Sequence, residues 1–376
     1  MRQNQNLGGQ NMADNILYSK NYTKPIDSTN GTLLVGSAGS GMSYWMAKNL
    51  KAMTDSNVIV VDPAGELLHD TKDALEQNDY SVKTLDFRKP EAMAGYNPLL
   101  LLCMGGEISN FVDLFFRNIS IESDPFLRRA EKNLFTALIS ETQKKYFTKA
   151  KDKYNLVTVY ERLKSLQTDN DLTELFINAS LHNDFAFYSD TVVETVKNNL
   201  AAYLSFCEDT NMAKALSVPE LDFAGINGDQ KTALFVITPT EDITYQWLYN
   251  RAISDLLKYV YFDKNAKRTR IIINDTASIG EIHLFTGLMD TAQYHNVIFD
   301  VAFQSFEQIN AVYYNSVSEL TDNLNLVYFG TSSYFDSVFL ERINLKKYAK
   351  QLNADKCLVV LDGQPNVDDK LSVEFE

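Results

Sequence analysis

Residues 31–46, with the sequence GTLLVGSAGSGMSYWM, lead from a short apolar segment through a glycine-rich turn into a segment of helical character. A buried strand that enters a helix through such a turn is typical of α/β proteins whose turn binds phosphate. Gly36, Gly41 and Ser43 match the pattern G-x-x-x-x-G-K-[ST], but Met42 occupies its lysine position. The segment therefore predicts an α/β fold. It leaves two hypotheses for the turn, a phosphate site without its lysine or a tight turn without a ligand.

A phosphate-binding loop works through converging backbone amides, the positive end of the following helix and the charge of its lysine. The first two features are retained here. The Ser43 hydroxyl is a candidate Mg²⁺ ligand, whereas Met42 offers neither charge nor hydrogen-bond donor. Since the lysine stabilises charge that develops during phosphoryl transfer, its loss should impair ATP hydrolysis more than binding. The predicted phosphate cradle consists of Gly36, Ser37, Ala38, Gly39, Ser40, Gly41, Met42 and Ser43.

Such a site also needs two acidic residues, one that holds Mg²⁺ and one that orients the attacking water, at the end of a neighbouring apolar strand. The segment RIIINDTASIG supplies Asn274 and Asp275 at that point. Asn274 is neutral where the metal-binding acid should stand, although its carbonyl oxygen remains a weaker Mg²⁺ ligand. Asp275 is the candidate catalytic acid that orients the attacking water. Gln304, at the end of the segment NVIFDVAFQS, is a candidate sensor of the terminal phosphate or an ordinary strand-end residue.

Apolar segments alternate with amphipathic ones over most of the chain, which predicts a mostly parallel sheet with helices on its faces. Between about 105 and 224 strand signals are lacking, and apolar residues recur at three- to four-residue spacing, as in helices. Asp124 and Pro125 form a helix start there. We predict a flexible arm at 1–15, an α/β domain at 16–104 and 225–376, and an inserted all-helical domain at 105–224.

Composition narrows the possible functions further. The formal net charge is −14, so the surface as a whole should repel nucleic acid. The three cysteines and four histidines show no metal-binding spacing. No apolar run approaches the roughly 18 residues that cross a bilayer, and no signal peptide is recognisable. These features predict a soluble protein of the cytoplasm.

Several blocks, in the same order, resemble the type IV coupling proteins of conjugation and type IV secretion, the TraG/VirD type. LLVGSAGSGMSYWMAKNL is similar to the phosphate-loop block of that family, NVIVVDPAGELL to its D-P-K-G-E block, and YNPL to its Y-N-P-[FL] motif. IIINDTASIG resembles D-E-F-A-N-I-G, FQS resembles the glutamine strand of the family, and DKCLVVLDGQPNVDDK resembles its closing strand. The resemblance covers nearly the whole chain. It implies a RecA-like P-loop NTPase core with an inserted helical domain, ATP and Mg²⁺ as cofactors, hexamers, and transfer of DNA.

The chain departs from the family pattern where positive or catalytic groups are expected. Met42 replaces the loop lysine, and Ala64 replaces the D-P-K-G-E lysine. Asn274 and Asp275 replace the acidic pair, and MDTAQYHN lacks the arginines of the corresponding stretch. These losses favour a non-catalytic adaptor of the conjugation or secretion apparatus. The resemblance implies that its helical domain contacts cargo or relaxosome proteins, and that partners hold it at the inner face of the bacterial cell membrane.

Two alternatives stay open. One is an active DNA-translocating ATPase in which another cation compensates for Met42. Lys48 and Lys51 lie on the following helix, with a spacing that directs them away from the loop, and the insertion offers Arg128 and Arg129. The other is a soluble regulator that uses the fold for an unrelated purpose. The oligomeric state is also open. The family forms hexamers, but this chain lacks the arginines of the contact between subunits, so a monomer is the alternative.

Overall fold

Most strands of the central sheet form where short runs of apolar and β-branched residues are bounded by turn residues, as the sequence predicts. The computed structural model describes residues 15–25, 31–93, 95–104, 108–117, 124–218, 226, 230–239, 246–262, 267–280, 282, 285–314 and 317–371. Its strands are β1 (Asn15–Leu17), β2 (Thr23–Pro25), β3 (Gly31–Gly36), β4 (Asn57–Val61), β5 (Ser81–Asp86), β6 (Thr232–Ile237), β7 (Thr269–Ile273), β8 (Val297–Phe303), β9 (Asn325–Gly330), β10 (Lys356–Leu361) and β11 (Gln364–Asp369).

Nine of these strands form one sheet in the order β11-β10-β9-β3-β8-β7-β4-β6-β5. The run from β9 to β6 is parallel, whereas β10 pairs antiparallel with both β9 and β11 at one edge. Carboxyl ends of parallel neighbours lie at the same edge of a sheet, so the segments that follow β3, β8, β7 and β4 come together. The strands β1 and β2 form a separate antiparallel pair.

The helices follow the three- to four-residue spacing of apolar side chains. They are α1 (Met42–Lys51), α2 (Glu66–Gln77), α3 (Ile108–Arg117), α4 (Pro125–Tyr146), α5 (Leu156–Lys164), α6 (Asp169–Ala179), α7 (Asp190–Tyr203), α8 (Thr210–Leu216), α9 (Gln246–Phe262), α10 (Thr276–Ile279), α11 (Phe285–Thr291), α12 (Phe306–Val312), α13 (Val317–Asn323), α14 (Tyr334–Arg342) and α15 (Lys346–Ala349). Short 3-10 helices span Pro90–Ala92, Leu100–Met104, Lys151–Lys153, Asp184–Phe187, Ser205–Glu208 and Ala292–His295.

The central strands are apolar on both faces because helices cover both. β3 and β4 are buried along their whole length. On one face, Leu34 of β3 shares a core cluster with Met46 and Leu50 of α1. Trp45, also in α1, is 2% exposed, and its indole nitrogen donates to the carbonyl oxygen of Tyr18 at 3.1 Å. The strand that carries the loop and the helix that follows it are therefore fixed by core packing.

The helical region has its own aromatic core. α4 begins as predicted, with Pro125 at its first position and an Asp124 carboxylate oxygen that accepts from the Phe126 amide at 2.8 Å. The ring of Phe115 lies with its centroid 4.8 Å from that of Phe135 and 4.7 Å from that of Trp247. Aromatic pairs at these separations add to the free energy of burial.

The described residues fall into two compact units, one within 1–83, 225–240 and 257–376, the other within 84–224 and 241–256. This division differs from the predicted boundaries in two segments, 84–104 and 241–256, which group with the helices. The Tyr96 hydroxyl donates to Asp255 at 2.8 Å, and the Trp247 ring packs against Phe115 and Phe206. Both segments are thus held by contacts inside the helical unit.

Several elements were not predicted from the sequence. Among them are β1, β2, α6, α12, α13, α14, α15 and β11. The strand β11 has the polar sequence QPNVDD and depends on its pairing with β10. Of the predicted arm at 1–15, only Asn15 lies within the described residues, and it begins β1. No helix in the described part of the chain is long and apolar enough to cross a membrane.

Candidate functional site

The loop after β3 adopts a backbone that its glycines allow. Gly39 and Gly41 have φ angles of 74° and 109°, in the left-handed region that other residues disfavour. At Gly36, a Cβ would lie 2.4 Å from the Ser40 hydroxyl oxygen and 2.7 Å from the Cβ of Phe329, so only glycine fits. α1 begins at Met42, directly after Gly41, so the N-terminal turn of the helix and its positive dipole end border the loop. This conformation allows backbone amides to surround an anion.

A cavity of about 430 Å³ lies against this loop and the carboxyl ends of β4, β7 and β8. The two predicted halves of the site meet around it, since its lining contains Ala38, Gly39, Ser40, Gly41, Met42, Ser43, Asn274, Asp275 and Gln304. Ala64 also lines it. Gly36 and Ser37 belong to the predicted cradle but are not among the described lining residues. The Ser37 amide instead donates to the carbonyl oxygen of Gly330 at 3.1 Å.

Sequence reasoning missed five lining residues, namely Tyr44, Pro63, Glu66, Ala302 and Phe303. Glu66 is the ionisable carboxylate among them, and it is the acid of the D-P-A-G-E motif. Gly65, with φ 78°, precedes α2 and places Glu66 in the first turn of that helix. Asp62 of the same motif is fully buried and accepts a hydrogen bond from the Leu68 amide at 3.0 Å. The motif itself was the signal that could have identified Glu66.

The charged groups around the cavity are acidic. Glu66 and Asp275 are the charged side chains among its described lining residues, and the lining contains no lysine or arginine there. Lys48 and Lys51 do not line it, as their spacing predicts. Arg128, like Arg129, belongs to the helical unit, where it forms an ion pair with Glu131 at 3.0 Å. The lining side chains therefore offer no positive charge to a bound phosphate.

Asp275 and Gln304, the two predicted catalytic residues, are in contact. Burial raises the pKa of the Asp275 carboxyl group, and hydrogen bonds from Ser278 and Gln304 oppose that rise. The Gln304 amide nitrogen of the backbone donates to the side-chain oxygen of Gln308 at 2.8 Å. An acid of raised pKa that accepts a hydrogen bond from an amide is suited to orienting water or accepting a proton. Within the described residues, the site included, no group of three or more His, Cys, Asp or Glu side chains is arranged to hold a metal ion.

Replacing Asp275 with asparagine is expected to raise the melting temperature by a few °C near pH 7. Because burial raises the pKa of Asp275, the folded protein binds this proton more tightly than the unfolded chain does. The ionised carboxylate therefore lowers stability at neutral pH and has no effect below the unfolded pKa of about 4. Asparagine also tolerates the φ of 51° at this position. Thermal melts from about pH 7 to about pH 4 should show a gain that disappears on acidification, and a gain independent of pH would contradict this account.

The family model for conjugative DNA transfer in the type IV secretory system matches residues 9–332. The chain belongs to this family. A search of curated proteins finds no significant match to the sequence. The predicted resemblance to the coupling proteins of conjugation and type IV secretion is therefore confirmed at the level of the family.

Solved structures share the fold of this family member at low sequence identity. The unbound form of the bacterial conjugative coupling protein TrwB is 12% identical, with a TM-score of 0.65 over 95% of this chain and 88% of that one. TrwB in complex with the ATP analogue ADPNP is 14% identical, with a TM-score of 0.62 over 92% and 86%. VirB4 of Thermoanaerobacter pseudethanolicus is 12% identical, with a TM-score of 0.62 over 92% and 90%. The predicted RecA-like P-loop NTPase fold is confirmed.

Proposed function

We propose that this protein is a non-catalytic adaptor of a conjugative transfer or type IV secretion apparatus, which retains a nucleotide-binding cradle but hydrolyses ATP poorly. The observation that carries the proposal is the side-chain chemistry of the cavity. Met42 lines it at the lysine position, and Glu66 and Asp275 are its charged lining residues. Transfer of the terminal phosphoryl group needs positive charge at this point. The absence of that charge therefore slows hydrolysis more than it weakens nucleotide binding.

The residues present fit ATP and Mg²⁺ in part. TrwB, which shares the fold, has been solved with ADPNP and with ADP and Mg²⁺. In this chain the loop amides would hold the phosphates, and Ser43 and Asn274, which both line the cavity, would hold Mg²⁺. Bound Mg²⁺ would supply positive charge to the phosphate oxygens. The neutral Asn274 makes that metal site weaker than one with a carboxylate, which supports binding rather than turnover.

The adaptor part of the proposal rests on charge and on the helical unit. A net charge of −14 opposes sequence-independent binding to DNA. The helical unit exposes large apolar side chains, with Phe187 82% and Ile177 69% exposed. Phe126, 50% exposed, packs on Tyr188, the neighbour of Phe187. Exposed apolar groups of this kind favour contact with cargo or relaxosome proteins.

Phosphate release from Mg·ATP is expected to stay at the background of a buffer control, with or without DNA. The reason is that Met42 and Asn274 remove two groups that stabilise the transferred phosphoryl group. Calorimetry with Mg·ADPNP on the same preparation should still detect weak binding. The matched control is Asp275→Ala. Turnover in the parent chain that this variant abolishes would contradict the proposal.

An active DNA-translocating ATPase is the second candidate, and the contact between Asp275 and Gln304 favours it. That contact places a carboxylate and an amide together at the cavity, as hydrolysis of a bound nucleotide requires. Such a motor should bind DNA with an affinity that falls steeply as salt rises. Tight binding at low salt with DNA-stimulated turnover would establish this candidate instead of the adaptor.

A further inference from the structure

Lys370 contacts the phosphate-loop residues from the far end of the sequence. Its Nζ donates to the backbone carbonyl oxygen of Ser40 at 3.0 Å, across 330 residues of chain. Ser40 lines the candidate cavity two positions before Met42. Lys370 directly follows β11, the edge strand of the sheet. A lysine that the loop motif lacks is thus supplied to the loop by another element of the same unit.

The lysine is part of a packed arrangement under the loop. The Lys370 ammonium lies 5.5 Å from the centroid of the Phe329 ring, a separation at which a cation is attracted to an aromatic face. The same ring lies 3.8 Å from where a Cβ on Gly41 would be. The Ser37 amide donates to the carbonyl oxygen of Gly330 at 3.1 Å. The end of β9 therefore packs against the loop, and Lys370 contacts both the loop and the Phe329 ring.

The two acidic residues that precede Lys370 contact other groups. Within the described residues, no carboxylate lies within ion-pair distance of its ammonium. Asp369, the preceding residue, instead pairs with Lys20 at 3.7 Å. Asp368 accepts hydrogen bonds from Ser19 at 2.7 Å and from the Asn21 amide at 2.8 Å. The base of the lysine is anchored, because its amide donates to the Asp355 carbonyl oxygen at 2.7 Å.

We propose that Lys370 is the positioning cation of this phosphate loop and takes over part of the role of the missing loop lysine. It holds the Ser40 carbonyl oxygen so that the loop keeps its anion-binding shape. Its positive charge lies 3.0 Å from that oxygen, outside the described lining of the cavity, and acts on a bound phosphate across the loop. The proposal rests on the proposed nucleotide binding. Lys370 lies outside residues 9–332, the part of the chain that the family model matches.

Replacing Lys370 with alanine is expected to weaken binding of Mg·ADPNP on the order of tenfold, because a unit charge near the phosphates is lost. Lys370→Arg should bind as the parent does. Lys370→Gln can keep a hydrogen bond to Ser40 but has no charge, so its affinity for Mg·ADPNP should lie between those of Lys370→Ala and Lys370→Arg. The matched control is Lys356→Ala, which removes the same charge from β10 of the same hairpin and should change little. The measurement is calorimetry at low salt on the full chain.

Two further measurements separate positioning of the loop from a general loss of structure. Amide hydrogen exchange in residues 36–46 of the unliganded protein should be faster in Lys370→Ala than in Lys356→Ala. Met42→Lys should raise the affinity of Lys370→Ala by a larger factor than it raises that of the parent, because in the variant it supplies a charge that Lys370 no longer provides. A global unfolding effect would raise exchange across the sheet and would not be rescued by that lysine.

The outcomes keep this proposal and the proposed function apart. If the parent binds Mg·ADPNP and Lys370→Ala binds it equally well, the role of Lys370 is wrong and the nucleotide site stands. If the parent binds neither Mg·ADPNP nor inorganic tripolyphosphate, the nucleotide site itself is wrong, and the role of Lys370 with it. Equal losses in Lys370→Ala and Lys356→Ala would also overturn the proposal, since a general charge effect explains them.

Discussion

Replacing Met42 with lysine is expected to tighten the binding of Mg·ADPNP by about 10- to 100-fold. A hydrogen bond to a charged group contributes about 1.5–3 kcal/mol, which corresponds to that range of affinity. Met42 lines the cavity at the first position of α1, where the motif directs its lysine toward the phosphates. Titration calorimetry of the parent and the variant, in the same buffer and salt, measures the difference.

Two control variants separate the charge at this position from other effects. Met42→Gln has a similar length and no charge, and it should bind nearly as the parent does. Ala38→Lys adds the same charge at an exposed cavity-lining residue of the same loop, where solvent screens it, and should give a smaller gain. If neither Met42→Lys nor Met42→Gln binds Mg·ADPNP, the segment is a tight turn without a ligand, and the second hypothesis for the loop replaces the first.

Met42→Lys also tests which other groups the site lacks for ATP hydrolysis. Met42→Lys alone is expected to leave phosphate release near background, because Asn274 still stands where a metal-binding carboxylate is needed. Adding Asn274→Asp should bring turnover above that background, because Ser43 and Asp275 are already at the cavity. Turnover in Met42→Lys alone would mean that Asp275 and Glu66 suffice as the acids of the site.

The sequence was most informative where local pattern and long-range packing agree. The strand ahead of Gly36 was predictable because its apolar run fits a parallel strand covered on both faces, and Asp124 with Pro125 marked the start of α4. The hydrophobic pattern did not predict β11, because its sequence is polar and it forms a strand only by pairing with β10. A residue whose conformation depends on a partner distant in sequence carries no local signal.

The residues of the candidate site were likewise predictable only where a local motif identifies them. Loop residues and the strand-end residues Asp275 and Gln304 could be predicted, because a motif and the ends of apolar strands identify them. Lys370 could not be, since its contact with Ser40 is fixed by the position of an edge hairpin across 330 residues of chain. Glu66 lay in a recognised motif, but its exposure to the cavity depends on the left-handed turn at Gly65.

Replacing Arg270 with alanine is expected to lower the free energy of unfolding by about 3–5 kcal/mol, because it leaves Asp300 as an unpaired buried charge. Arg270 in β7 is 0% exposed and Asp300 in β8 is 1% exposed. The Arg270 Nε donates to a carboxylate oxygen of Asp300. Burial, followed by the charge of Asp300, raises the pKa of the nearby Tyr18 hydroxyl to about 12. Urea denaturation followed by circular dichroism measures the loss.

Two controls establish that the loss comes from the unpaired charge. Arg268→Ala removes a partly exposed arginine two residues away, whose Nη1 lies 3.9 Å from Asp55, and should cost less than about 1 kcal/mol. The double replacement of Arg270 by methionine and Asp300 by leucine removes both charges and should cost much less than Arg270→Ala alone. An equal loss in the double variant would assign the effect to packing volume rather than to charge.

The pair also bears on the site, because it lies between the two strands that carry the predicted catalytic residues. Residue 270 precedes Asn274 by four positions in β7, and residue 300 precedes Gln304 by four positions in β8. The two strands pair in parallel register, so the ion pair favours the alignment that brings Asp275 to Gln304. In Arg270→Ala that contact should loosen, and the stabilising effect of Asp275→Asn near pH 7 should change with it. If the two variants instead add independently, apolar packing alone sets the register of β7 and β8.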